Sequence, residues 1–441
     1  MWVKYSTNKM SLVGKPTAAM KPNRSLTGRL DETRLIRIGI IGKTNTGKTT
    51  FFNAATLSRA QVSTFPFTTK RPNTGTACVQ TLCVCRELGL QDSPRNSKCV
   101  DGWRFVPVEL VDLPGLIKGS WKGKGLGTQF LSVASQADAL LHVVDASGSV
   151  DADGKLTRAG QGNPVADVYD IEEELTRWFV KIVDRSVYKI RRQASKTDVD
   201  KAALEALAGL KVRLDQIQRA LHEAELVDIE PKDWKPDDVE RFAVKIRNIS
   251  KPTMIIANKM DLAYAEQNYK RLGQEFGRAL VTPCSADAEL ALRRAEEKGY
   301  IRYIPGEETF QVLALGKLTP EQSKALTYVQ QRVFTKWIRT GVQFALNSCV
   351  FKLLNMNCVY PVEDQERFSD KAGNVLPDVL LVPYNATLSD VAGHIHTELA
   401  QTMIYGVDAR TGVRLPADYI VRDRDVIKVV AAAERRGRHR S

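Results

Sequence analysis

The junction between residues 35 and 57 constrains this chain most. Leu35-Ile-Arg-Ile-Gly-Ile-Ile-Gly42 is a mostly apolar run that leads directly into Gly42-Lys-Thr-Asn-Thr-Gly47-Lys48-Thr49. A short apolar run bounded by a turn reads as a strand buried on both faces, as in a parallel sheet. The following Thr50-Phe-Phe-Asn-Ala-Ala-Thr-Leu57 reads as a helix. Strand, glycine-bounded loop and helix form the context in which G-x4-G-K-[ST] wraps phosphate. Gly42 and Gly47 let backbone N–H groups close on an anion at a helix N-terminus. Lys43, Thr44, Asn45, Thr46, Gly47, Lys48, Thr49 and Thr50 are therefore the expected phosphate cradle. Lys48 would neutralise the β- and γ-phosphates, and the Thr49 hydroxyl would ligate Mg²⁺. The fold class this implies is α/β, built on a P-loop NTPase sheet.

Two further strand ends complete a nucleotide site. Phe105-Val-Pro-Val-Glu-Leu-Val-Asp112 ends on Asp112-Leu-Pro-Gly115. A carboxylate there is the second group that organises Mg²⁺ in P-loop enzymes, and Gly115 would let the backbone approach the γ-phosphate. By itself Asp-Leu-Pro-Gly is only turn chemistry; its place after the phosphate loop gives it the functional reading. Pro252-Thr-Met-Ile-Ile-Ala257 is followed by Asn258-Lys259-Met260-Asp261, at the carboxyl end of a strand where α/β sheets bind ligands. The Asp261 carboxylate can accept from N1–H and the 2-amino group of guanine. Adenine lacks that donor pair and would leave the carboxylate unanswered. Val281-Thr-Pro-Cys-Ser285-Ala286 ends another strand, and Ser285 or Ala286 could offer a backbone N–H to guanine O6. The expected ligand is GTP or GDP.

Composition bounds the rest. The 441 residues suffice for two or three domains, and 43% hydrophobic with 26% charged residues is ordinary for a soluble chain. No apolar run reaches transmembrane length. A net charge of +13 attracts polyanions, nucleic acid foremost, although charge alone does not separate RNA from an anionic membrane. Seven cysteines without a disulfide framework fit a reducing compartment, so a cytoplasmic protein is expected. The first 34 residues hold seven Lys or Arg against Asp31 and Glu32. They read as a disordered basic arm or as an organellar transit peptide. Glu434-Arg-Arg-Gly-Arg-His-Arg-Ser441 reads as a second solvated basic end.

The stretch between Asp145 and Pro252 exceeds what a minimal nucleotide domain needs. Gly148 to Pro164 reads as a loop. Ile171, Leu175, Trp178 and Ile182 then follow helical spacing. Ala203, Leu207, Leu210, Leu214, Ile217, Leu221 and Ala224 step by four and three, a coiled-coil seam that predicts an antiparallel hairpin with the first helix. Lys181, Arg185, Lys189, Arg192 and Lys196 fall on one face, either a solvated surface or an RNA phosphate contact. Cys78, Cys83, Cys85 and Cys99 are clustered, but their spacing matches no zinc signature; Cys83 and Cys85 are expected to share a strand face as small hydrophobes. His394 and His396 lie two apart, which disfavours shared metal ligation on a helix. Leu380-Leu-Val-Pro and Val426-Ile-Lys-Val-Val430 read as strands flanking a helical Leu388–His396.

Together these residues resemble the Obg-related GTPases, within them the YchF-like subgroup, and most closely its archaeal-type members. Phe65-Pro-Phe-Thr-Thr69-x-x-Pro-x-x-Gly75 is similar to that family's switch I, which implies that Thr69, or else Thr68, binds Mg²⁺ and senses the γ-phosphate. Gly115-Leu-Ile-x-Gly119 and Gly123-Lys-Gly125-Leu-Gly127 resemble its glycine-rich switch II. Typical YchF members have lost N-K-x-D and are thought to favour ATP, whereas this chain keeps Asn258, Lys259 and Asp261. Leu116 stands where Ras-like enzymes carry the water-orienting glutamine, which implies slow intrinsic hydrolysis. Asn45 matches a position that helps hold K⁺ in cation-dependent GTPases; it reads equally as a loop asparagine in left-handed geometry. Lys48, Thr69, Gly115 and Asn45 are thus the catalytic candidates, and Thr49, Thr69 and Asp112 the metal ligands.

Val359-Tyr-Pro-Val-Glu, Leu376-Pro-Asp-Val and Asp423-x-Asp-Val-Ile-Lys resemble a TGS domain, a β-grasp module that contacts RNA or ribosomes in related proteins. The expected organisation is a basic extension (1–34), a Ras-like nucleotide domain (35–148 and 252–300), an inserted helical hairpin (149–251), a helical connector (301–352), a C-terminal β-grasp TGS domain (353–431) and a basic tail (432–441). The expected function is a monomeric, Mg²⁺-dependent GTPase switch on the ribosome or rRNA. An ATP-using YchF-like stress regulator and a nucleotide-stabilised adaptor are the alternatives.

Overall fold

The computed structural model describes residues 35–60, 72–115, 132–193 and 198–432. Its central sheet runs in the order β2-β4-β1-β5-β6-β7, with β3 paired to β4. The strands are β1 (Arg37–Ile41), β2 (Asn73–Leu82), β3 (Lys98–Val100), β4 (Trp103–Asp112), β5 (Ala139–Asp145), β6 (Thr253–Asn258) and β7 (Val281–Pro283). β1, β4, β5, β6 and β7 pair in parallel, and β2 runs antiparallel along β4. All seven residues of β5 are buried, as a central parallel strand requires. Helix α1 (Lys48–Thr56) follows β1 and buries Phe51 and Phe52 against the sheet. The parallel register brings the carboxyl ends of β1, β4, β5 and β6 to one edge, where Asp112, Asp145 and Asn258 lie. This is the expected curled P-loop sheet.

The insertion is helical, but its internal layout differs from the predicted seam. After the short helix α2 (Val84–Leu88), helix α3 (Pro164–Gln193) runs for 30 residues and buries Ile171, Leu175, Trp178, Val183, Val187 and Ile190. Its antiparallel partner is α6 (Pro236–Ser250). The run from Ala203 to Ala224 splits into α4 (Val199–Ala206), one tight turn and α5 (Leu214–Glu223). The break falls where Leu210 N–H donates to Leu207 O and Lys211 takes φ 49°. All of the seam residues except Leu214 are still buried in the same apolar cluster as α3 and α6. Spacing by four and three thus marked the buried face correctly without marking a continuous helix.

Helix α7 (Ala265–Phe276) lies between β6 and β7, and after β7 come α8 (Ala286–Glu297) and a short hairpin of β8 (Ile301–Arg302) and β9 (Gln311–Val312). The stretch expected to be a helical connector therefore opens with strands. Helices α9 (Pro320–Val329) and α10 (Val342–Asn347) follow, and α10 docks on β2 through Gln343 Nε2 to Cys78 O at 2.9 Å and Gln80 N to Asn347 Oδ1 at 2.8 Å. The C-terminal unit is a sheet in the order β11-β10-β14-β12-β13, formed by β10 (Met356–Val362), β11 (Leu380–Pro383), β12 (Met403–Asp408), β13 (Arg414–Leu415) and β14 (Asp425–Ala431). Helix α11 (Leu388–Ile395) covers it with Leu388 and Val391. This is the β-grasp arrangement of a TGS domain. His394 and His396 each engage backbone groups nearby, at Asp390 O and Glu398 N.

The chain between β2 and β4 also departs from expectation. β2 ends at Leu82 and Cys85 sits in α2, so Cys83 and Cys85 do not share a strand face. This excursion meets the C-terminal unit through Ser93 N to Val375 O at 2.8 Å, Arg95 N to Pro377 O at 2.7 Å and Asn96 Nδ2 to Val379 O at 2.9 Å.

Phe242 is fully buried between the helices of the insertion. Phe242→Ala is expected to cost about 3–5 kcal/mol, read as a lowered urea midpoint for loss of insertion helicity.

Candidate nucleotide-binding site

The loop after β1 has the backbone that its glycines anticipate. Gly42 takes φ 142° and Gly47 φ 95°, both favouring glycine. A Cβ on Gly42 would lie 2.3 Å from Val143 O, and one on Gly47 would lie 2.2 Å from Asn258 Nδ2. The loop is thus pressed against β5 on one side and β6 on the other. Asn45 sits at φ 64° and donates from Nδ2 to Gly154 O at 3.0 Å, the left-handed loop geometry open to an asparagine.

Lys48 is buried, and its Nζ donates to Lys43 O at 2.6 Å across the loop. Burial lowers its ammonium to about 8, against the opposing pull of Asp112. An anion entering the loop would meet this lysine in a weakly hydrated setting where charge pairing is strong. Thr49 Oγ1 donates to Asp112 Oδ2 at 2.7 Å, and Asn73 Nδ2 reaches the same oxygen at 3.3 Å. Asp112 Oδ1 is buried without a hydrogen-bond partner among the described residues. Burial pushes the Asp112 carboxyl up, with Lys48 opposing. A hydroxyl beside a carboxylate with one oxygen left over is a donor set suited to Mg²⁺ and its waters. Gly115 lies so near the loop that a Cβ would approach Thr44 Oγ1 to 2.7 Å. Thr68, Thr69, Leu116, Lys196 and the remainder of the two switch signatures apart from Pro72, Gly75 and Gly115 lie outside the described residues.

At the other end of the site, Asn258 Nδ2 donates to Thr46 O at 2.9 Å, while Asn258 Oδ1 accepts from Ala286 N at 3.1 Å. Ser285 N donates to Thr340 O at 2.7 Å. Both N–H groups expected to face guanine O6 therefore have protein partners here, because the turn after β7 folds back onto Asn258 and Thr340. Ser285 Oγ is buried without a partner among the described residues, which leaves its hydroxyl as a polar group at that turn. Lys259, at φ 64°, extends its Nζ to Asp145 Oδ2 at 3.0 Å and Ser149 Oγ at 3.3 Å. Asp261 Oδ2 accepts from the Tyr328 hydroxyl at 3.2 Å. It borders a cleft of about 660 Å³ that Tyr264, Tyr328 and Arg332 also line.

The order of these parts, a phosphate loop after β1, an aspartate at the end of β4 and N-K-x-D at the end of β6, agrees with comparison to known proteins. The model "Obg-like GTPase YGR210-like, G4 motif-containing domain" matches residues 256–364, "50S ribosome-binding GTPase" matches 37–177 and "TGS domain" matches 371–431. A GTP-binding protein of Methanocaldococcus jannaschii is 42% identical over 398 residues, 90% of this chain and 99% of that protein. This chain belongs to the Obg-related, YchF-like GTPases. The "Ribosome-binding ATPase YchF" of Escherichia coli is 27% identical over 420 residues, 89% of this chain and 98% of that one. The crystal structure of a GTP-binding protein from Pyrococcus horikoshii superposes with a TM-score of 0.72 at 34% identity, covering 90% of this chain and all of that one.

Several contacts around this site escaped the sequence reading. Asp145 is buried at the end of β5, where it accepts from Ser147 Oγ at 2.6 Å, Ser149 Oγ at 2.7 Å and Lys259. Its signal was present: a buried strand ending on Asp-Ala-Ser-Gly. Lys43 turns away from the loop interior to pair with Asp167 at 2.7 Å and Asp170 at 3.0 Å in the first turns of α3. Lys43 thus offers a nucleotide its backbone, while its ammonium ties the loop to the insertion. Tyr328 reaches Asp261 from α9, with no local signal to announce it.

The two polar ends of N-K-x-D differ in burial. Asn258 bridges two backbone groups inside the protein, whereas Asp261 is half-buried. Asn258→Ala is expected to cost about 2–4 kcal/mol from two lost buried hydrogen bonds, and Asp261→Ala less than about 1 kcal/mol, as read by urea unfolding of nucleotide-free protein.

Proposed function

We propose that this protein is a GTP-selective, GTP-hydrolysing switch that acts on the ribosome. The observation that carries the reading is the link between Asn258 and Thr46, which sets Asp261 at a fixed reach from the phosphate loop. A carboxylate held there accepts from both edge donors of guanine. Adenine presents no such pair, so the "ATPase" in the name of the Escherichia coli relative is not carried over.

In this reading Lys48 and the N–H groups of residues 43–50 hold the phosphates, and Ser285 and Ala286 line the base. Thr49, Asp112 and Thr69 would hold Mg²⁺, which neutralises charge on the β- and γ-oxygens. Gly115 gives the backbone room beside the γ-phosphate. Leu116 has no group to orient water, so turnover is slow until another group supplies the missing charge or alignment. Asn45 is the residue offered for K⁺ in that role.

The ribosome part rests on charge. Arg185, Lys189 and Arg192 are exposed along one side of α3, and they form no ion pair among the described residues. The family model on residues 37–177 and the Escherichia coli relative both carry ribosome binding in their names. An exposed row of cations on a rigid helix fits an RNA backbone.

Asp261→Asn tests the base reading. It should weaken GTP binding roughly 30- to 1000-fold by losing two charge-assisted hydrogen bonds, and improve binding of xanthosine triphosphate, whose 2-carbonyl matches the new amide. Equal wild-type affinity for ATP and GTP would overturn the selectivity, and single-turnover assays in K⁺ and Na⁺ read the part given to Asn45. For the ribosome, Lys189→Glu with Arg192→Glu should move the protein out of the ribosomal pellet in the GTP-analogue state without changing GTP affinity. Unchanged sedimentation would remove α3 as the contact.

A further inference from the structure

Three cysteines and one aspartate that the GTPase site does not use meet at the base of the excursion between β2 and β4. The ligand atoms of Cys83, Cys85, Cys99 and Asp92 all lie within 4.8 Å of one another. They arrive from separate pieces of chain: the end of β2, the first turn of α2, the loop that follows and β3. Cys83 Sγ lies 3.2 Å from Asp92 Oδ2, and Cys85 Sγ lies 3.8 Å from Cys99 Sγ. Tetrahedral ligation with zinc–sulfur bonds of about 2.3 Å separates neighbouring sulfurs by about 3.8 Å. The thiols are free, and Cys78, though near in sequence, is not part of the group. Linear spacing hid this arrangement because the turn into α2 and the pairing of β3 with β4 bring the side chains together.

A second observation is a buried cation set beside this group of ligands. Arg104, on β4, is fully buried. One arm of its guanidinium donates to Leu376 O, and NH1 lies 3.4 Å from Asp92 Oδ2. Nε and NH1 nevertheless have no hydrogen-bond partner among the described residues. Asp92 is the one carboxylate within ion-pair distance of this guanidinium among the described residues, with the Tyr360 ring 5.4 Å away, and a buried charge so sparsely answered is a costly arrangement. A divalent ion held by three thiolates and the Asp92 carboxylate would carry two negative charges in sum, and the buried Arg104 guanidinium beside it would offset one of them.

We propose that Cys83, Cys85, Cys99 and Asp92 bind one zinc ion that fixes the face on which the C-terminal domain docks. Binding displaces three thiol protons to solvent and changes no oxidation state. Thiolate-rich tetrahedral sites select zinc over magnesium or calcium. The four ligands bracket the docking surface. Glu87, two residues after Cys85, pairs with Arg424 and with Arg410 at 3.1 Å. Arg95, between Asp92 and Cys99, pairs with Asp378 at 2.5 Å. A closed loop with few strand bonds of its own would be held in the shape that presents both contacts.

The test uses the full chain purified from zinc-replete cells without chelator. Elemental analysis should return one zinc per chain, and Cys85→Ser and Cys99→Ser should lose it while Cys78→Ser keeps it. Hydrogen exchange at residues 83–102 and 375–379 should speed up on zinc removal and slow again when zinc is restored. If the serine variants do not fold, cobalt substitution of the wild-type chain decides: the intense visible bands of tetrahedral cobalt–thiolate are expected. Wild-type protein that lacks stoichiometric zinc and takes up neither zinc nor cobalt at micromolar concentration would overturn the proposal. So would a Cys85–Cys99 disulfide in the intact mass, or stoichiometric iron instead of zinc.

Discussion

The Asn258 side chain is the contact on which the GTPase site depends. Its amide spans from Thr46 O in the phosphate loop to Ala286 N after β7, so that β1, β6 and β7 share one hydrogen-bonded joint at their carboxyl ends. The joint also explains Gly47: the space a Cβ would need is filled by Asn258 Nδ2 at 2.2 Å. Phosphate-side and base-side parts are therefore set at a mutual distance by covalent geometry and two hydrogen bonds. Aligned strands bring both ends to one edge; the amide makes them a single surface.

Charge is arranged around that joint in two layers. Lys48 and Asp112 form the inner layer, both buried, each opposing the shift that burial imposes on the other. Asp112 Oδ1 is left without a hydrogen-bond partner among the described residues. Lys43 with Asp167 and Asp170, and Lys259 with Asp145, form the outer layer, in which each cation is already matched. Pairing in the outer layer holds the loop while leaving the inner layer available for a nucleotide.

The parts legible in the sequence were those whose chemistry is local. β1 with its loop, the Asp112 turn and N-K-x-D each announce themselves within ten residues, because a buried strand and a phosphate turn tolerate few residue types. The C-terminal β-grasp domain was legible through its resemblance to TGS domains, which the family model on residues 371–431 bears out. The insertion was half legible. Ala203 to Ala224 carries the burial pattern of a helix, yet Lys211 turns the chain, and only contact with α3 and α6 tells which apolar face wraps and which extends. Tyr328 at Asp261, Asp167 at Lys43 and the gathering of Cys83, Cys85 and Cys99 were illegible because each joins elements whose relative placement the local pattern does not encode.

Helix α3 ties these distances together. Its first turns hold Lys43 through Asp167 and Asp170, and its far end presents Arg185, Lys189 and Arg192 to solvent. From Asp167 to Lys189 a continuous helix spans about 33 Å, and α6 packs along its buried face. Bending such a helix would open the packed face of Leu175, Trp178 and Val183. The phosphate loop and the cationic row are thus connected through one packed helix, whose first turns meet the nucleotide domain at Lys43 and, through Val168 and Tyr169, at the cluster of β5 and β6 and at α7.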